Sequence, residues 1–164
     1  MHCSDSKLAW SKQRRMVPKY LLQQGTWVAV CDGRKALLLQ NCGTREFPKL
    51  ETRESFEQEN PPTHLQGSAP PGRAYSPAGG RRGSVEEADT HDRAERTFLE
   101  AFAGCIDSYV RNRDIRSLIL VAPPRALGMI RPAISEATQR VLVAQLDHDY
   151  VKLPLYQIEQ HLRR

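Results

Sequence analysis

Apolar residues in this chain fall into short runs of two kinds, and the kinds predict different elements. TWVAVCD, from Thr26 to Asp32, and KALLLQN, from Lys35 to Asn41, are dense β-favouring runs on either side of Asp32-Gly33. Two such runs around Asp-Gly predict a β-hairpin, because both residues tolerate the positive φ that tight hairpin turns need. A third, weaker strand is expected within REFPKLETRE, where Pro48 suits a sheet edge. From residue 56 to 83 the periodicity disappears, and Pro61, Pro62, Pro70, Pro71 and Pro77 interrupt the segment. A long loop is expected there, and loops of that length in small domains are functional or disordered.

The period then changes from two to between three and four. Ser84 with Glu87 forms an S-x-x-E capping box, and Glu86 and Asp89 add negative charge to the first turn of a helix. Phe98, Phe102, Cys105 or Ile106, and Tyr109 make one apolar stripe, so the helix is expected to run to about Arg111. SLILVA, Ser117 to Ala122, reads as a buried strand ended by Pro123-Pro124. RALGMIRPAI begins a second helix that Pro132 kinks or shortens. Gly128 is expected to permit close helix packing. Ser135 caps a short helical continuation before RVLVAQLD, a last strand, and a terminal helix begins near Pro154, where proline suits the first position.

The order is hairpin, third strand, loop, then helix and strand in alternation. Alternation of that kind implies parallel pairing through a crossover. The predicted fold class is therefore α/β, a single domain with a mixed β-sheet flanked by helices. With 164 residues there is room for one such core.

Composition narrows the picture. The hydrophobic fraction of 40% suits a soluble protein, and no apolar run reaches the ~18–20 residues that span a bilayer. Cys3, Cys31, Cys42 and Cys105 show no C-x-x-C spacing, which predicts neither a metal site nor a disulfide framework. A reduced, cytoplasmic protein is expected, with no membrane partner and no cofactor. The net charge of +5 is uneven: Lys7, Lys12, Arg14, Arg15 and Lys19 stand against Asp5, while the other 19 basic and 18 acidic residues nearly cancel. Residues 1–24 are read as a poorly ordered basic extension and 25–164 as the domain, with 56–83 its long loop. Met16 offers an alternative start, which would make residues 1–15 a start-site artefact.

Five stretches carry a resemblance: GTWVAVCDGRKALLL, EQENPPT, PPGRAYSPAGGRR, LILVAPPRALGMIR and LDHDYVKLPLYQIEQHL. Together they resemble the bacterial host attachment protein family, proteins required for attachment to host cells, from about Gly25 to Leu162. The VAPPR-x-LG block is the most specific. That family is similar in turn to the central domain of eukaryotic and archaeal class I release factors, which implies a ribonuclease-H-like mixed sheet. In those factors a Gly-Gly-Gln loop precedes a long helix and enters the peptidyl-transferase centre. By position relative to the helix, Gly79-Gly80-Arg81 lies where that tripeptide would be.

Three readings of this loop are open. It is a solvated loop; or Arg73, Arg81 and Arg82 with Gly79 and Gly80 contact RNA or another anion beside a helix N-terminus; or it hydrolyses peptidyl-tRNA. Arg81 counts against hydrolysis, since a guanidinium cannot both donate and accept as the expected glutamine amide does. Arg125, in the loop after a parallel strand, is a second candidate for a carboxylate or phosphate. His91 is an accessory candidate, and His148 between Asp147 and Asp149 reads as a polar turn. A nuclease needs converging carboxylates, of which only Asp32 sits at an early strand end. The expected function is thus non-catalytic, with the ribosome, tRNA or other proteins as partners. The alternatives are a cytoplasmic protein-interaction factor influencing host attachment, and rescue by peptidyl-tRNA hydrolysis.

Overall fold

The computed structural model describes residues 22–58 and 82–163, with the backbone alone for 82–88. Its elements are β1 (Trp27–Cys31), β2 (Lys35–Asn41), β3 (Leu50–Glu57), α1 (Arg82–Arg111), β4 (Leu118–Val121), α2 (Pro124–Ile130), α3 (Glu136–Val141), β5 (Leu142–Leu146) and α4 (Leu155–Arg163), with a 3-10 turn at Arg131–Ala133 after α2. The five strands form one sheet in the order β3-β2-β1-β4-β5. β1 pairs antiparallel with β2 and parallel with β4, β2 pairs antiparallel with β3, and β4 pairs parallel with β5. This is the expected single-domain mixed α/β sheet.

All five residues of β1 are buried because the sheet is covered on both faces. Trp27, Ala29 and Cys31 point into one core with Ala36, Leu38, Leu118 and Leu120, against Leu99, Phe102, Ala103 and Ile106 of α1 and Ala126, Leu127 and Ile130 of α2. Val28 and Val30 point into the other, with Leu39, Ile119 and Val121, against Leu22, Val151 and Ile158 and Leu162 of α4. The alternation of strand side chains is what divides the apolar residues between two layers.

Several boundaries differ from the expectation. β3 starts after Pro48 and runs to Glu57, so Phe56 belongs to the strand and packs edge-on against Phe102, ring centroids 5.7 Å apart. α1 begins at Arg82, which places Ser84 inside the helix rather than at its cap. Its buried stripe is Leu99, Phe102, Ala103 and Ile106, which shares Phe102 and Ile106 with the expected line and adds Leu99 and Ala103, with Phe98 and Tyr109 at its margin. Gly128 is exposed and a Cβ there would meet open space, so helix packing does not require it. The short helix α3 is capped as expected: Thr138 N–H donates to Ser135 Oγ at 3.2 Å.

Packing also starts earlier than Gly25. Leu22 is buried, and Asn41 Nδ2 donates to the carbonyls of Leu22 (3.3 Å) and Gln23 (3.0 Å). Asn41 Oδ1 accepts from Gly43 N–H (3.0 Å) and Lys49 N–H (2.9 Å), so one buried amide joins the chain entering β1 to the β2–β3 connection.

Candidate functional site

The parallel strands β1 and β4 end side by side, and three segments meet at that end: the β1–β2 turn, α1 and the start of α2. Asp32 builds the turn. Its Oδ1 accepts from the backbone N–H of both Arg34 and Lys35 at 2.7 Å, while its own N–H donates to Lys35 O at 2.9 Å. The turn therefore closes through a side chain, and Gly33 does not take the left-handed conformation expected of it; among the described glycines only Gly25 does, at φ 79°. What the glycine at position 33 provides is room for a side chain from another element. The Glu95 side chain of α1 lies where a Cβ would be, 2.0 Å from that point at Oε1.

Asp32, Gly33, Arg34, Gln58, His91, Ala94 and Glu95 line an open cleft of about 280 Å³ between the turn and the helix. Gln58, where the described part of the first half ends, is held there by its N–H donating to Arg34 O at 2.7 Å. On the far side of Glu95, Arg125 projects from the first turn of α2. Its Nη2 lies 3.0 Å from Glu95 Oε2 and also pairs with Asp92 Oδ1. A cation at the amino end of a helix opposes the helix dipole, and the two carboxylates offset this.

Below the corner the chemistry is that of a core. Burial, and secondarily the Asp32 charge, push the Cys31 thiol up to about 12, so it stays protonated and inert. Tyr109 is pushed up to about 12 first by donating to Glu54 Oε1 at 2.7 Å, a bond that ties α1 to β3. No group of three or more His, Cys, Asp or Glu among the described residues is arranged to hold a metal ion.

Of the residues singled out in the sequence, Arg73, Gly79, Gly80 and Arg81 lie outside the described residues. Arg82 opens α1. Arg125 stands at the corner with its guanidinium engaged by carboxylates, and His91 is exposed on the corner's helical wall. His148 stacks on Tyr150 (5.3 Å), which stacks on His161 of α4 (5.0 Å). Sequence reading missed Asp92, Glu95 and the purpose of Gly33. A usable signal was present: Asp92 and Glu95 are three apart and share a helix face, a natural partner for an arginine at a helix start.

The second notable feature of α1 is its length. Its 30 residues span about 45 Å, yet none of Asp89 to Phe98 is buried. Full burial begins at Leu99, with Phe98 packed against the core just before it. His91 is level with the turn, so residues 82–90 carry the helix about 13 Å beyond it.

A mixed five-stranded sheet with flanking helices is compatible with a release-factor-like domain. The model of bacterial archaeo-eukaryotic release factor family 12 matches residues 25–162, and the chain belongs to that family. No curated protein matches the chain. No helix among the described residues is long and apolar enough to cross a membrane.

Proposed function

We propose that this chain is a non-catalytic module of translation that associates with RNA or the ribosome from the cytoplasm. In this reading the Gly/Arg loop, with Arg73, Gly79, Gly80, Arg81 and Arg82, contacts phosphate at the amino end of α1. The supporting observation is membership in a release-factor family combined with a long helix in which no residue from Asp89 to Phe98 is fully buried. Glycines allow close approach of backbone to an anion, and arginines supply bidentate charge. Arg81, standing where a release factor carries glutamine, favours binding over hydrolysis. A role in attachment to host cells rests on the sequence resemblance alone, and no feature of the described residues favours it.

Co-sedimentation with ribosomes across a salt titration tests the proposal. Association should weaken steeply as salt rises, and Arg81→Ala/Arg82→Ala should lower the log–log salt slope by about 1–2. Binding that ignores salt, or that is unchanged in the double variant, would remove the loop from the interaction. A peptidyl-tRNA release assay with the purified protein should show no turnover; turnover would make the chain an enzyme.

A further inference from the structure

Glu95 touches three elements at once. It grows from α1, its aliphatic stem and carboxylate cover Gly33 in the β1–β2 turn, and Oε2 pairs with Arg125 of α2. Its side chain is 22% exposed, against 53% for Asp92 and 58% for Arg125, so it is the inner member of the trio. Arg125 is itself well founded, because Ala126, Leu127 and Ile130 hold α2 in the core. The turn is equally fixed by Asp32. One side chain of the exposed half-helix therefore rests on two immobile parts of the body.

We infer that Glu95, seated on Gly33 and held by Arg125, is a positioning residue that anchors the amino-terminal half of α1 against the domain. No residue from Asp89 to Phe98 is fully buried, and of these Phe98 alone is an apolar side chain packed against the core, so apolar packing reaches this stretch only at its carboxyl end. Asp92 adds a second pairing to the same guanidinium one helical turn earlier. Gly33 is not left-handed, so a methyl group there imposes no left-handed backbone strain, and its three nearest neighbours are all atoms of the Glu95 side chain. Gly33→Ala thus displaces the Glu95 carboxylate without altering a charge. The inference concerns how the helix is held, and stands whether or not its tip meets RNA.

Hydrogen exchange on the full chain tests it, with thermal melting as the control for folding. Gly33→Ala and Arg125→Ala should each speed exchange of the amides of residues 89–97 about two- to fivefold, with residues 99–110 unchanged. Arg125→Lys, which keeps the charge but not the fork, should fall between wild type and Arg125→Ala. In a Glu95→Ala background, adding Gly33→Ala should change nothing further, since the two substitutions act through one side chain. Exchange at wild-type rates in Gly33→Ala, or an equal acceleration by Gly33→Ala with Glu95 already removed, would overturn the anchoring role.

Discussion

The two halves of α1 are continuous in backbone and opposite in what holds them. From Leu99 to Val110 the helix is fixed by burial: Leu99, Phe102, Ala103 and Ile106 are at most 1% exposed, and Phe102 meets Phe56 of β3. Asp107 adds a polar tie, accepting from Ser135 Oγ at 2.6 Å and from the Thr138 hydroxyl. From Asp89 to Phe98 the helix has no fully buried residue and is tied by charges at Arg125, by Glu95 on Gly33 and, at its end, by half-buried Phe98. Burial is strong and insensitive to salt, whereas exposed pairing is weak and screened. The same helix is therefore a foundation at one end and an adjustable projection at the other.

The contrast can be broken most directly at its strong end. Phe102→Ala removes a fully buried ring and should cost about 3–5 kcal/mol in urea unfolding. A loss below about 1 kcal/mol would mean that the carboxyl half is not the foundation. Next in size is Asp107→Ala, which leaves the buried Thr138 hydroxyl only a 3.4 Å contact from Ser135 Oγ and should cost about 1–3 kcal/mol. Unfolding that stays at wild-type denaturant concentration would show that α3 docks without this tie.

The smallest effect is a pH dependence at Cys31, the last core position of β1 beneath the corner. Its folded value, about 12, lies above the reference 9.0. Below pH 9 the thiol is protonated folded or unfolded and its contribution is fully present. Between 9 and 12 the unfolded thiol ionises first, so stability falls as pH rises, by up to about 1.4 kcal/mol per unit. Denaturation at pH 8 and pH 10 should show a drop that is shallower by about that amount in Cys31→Ala. Equal slopes in the two proteins would place Cys31 in contact with water.

What was legible in the sequence was whatever short-range chemistry decides. TWVAVCD and KALLLQN declared their strands, Pro123-Pro124 ended β4, and Ser135 announced the cap of α3. The amphipathic stripe gave α1 its existence and its buried Phe102 and Ile106, but not Leu99 and Ala103, which lie beside that line and are assigned to the core only by the sheet. Arg125 was legible as a residue in search of an anion. Its partners were not, since Asp92 lies 33 positions away and only the fold brings them together. Gly33 was attributed to turn conformation, a local cause, whereas it does not take a positive φ and its place is overlaid by a side chain from another element. Local rules identify a residue that is unusual; they do not say which distant neighbour makes it so.

The seat of Glu95 over Gly33 has a consequence for how sequences of this family can drift. Since the volume of the absent methyl is filled by the end of another residue's flexible side chain, the two positions should influence each other without either fixing the other. A lineage that replaces Glu95 with a short side chain should become free to place alanine or serine at position 33. One that retains the glutamate should accept alanine there only with the carboxylate shifted from its seat, and so should favour glycine as the surrounding turn residues vary.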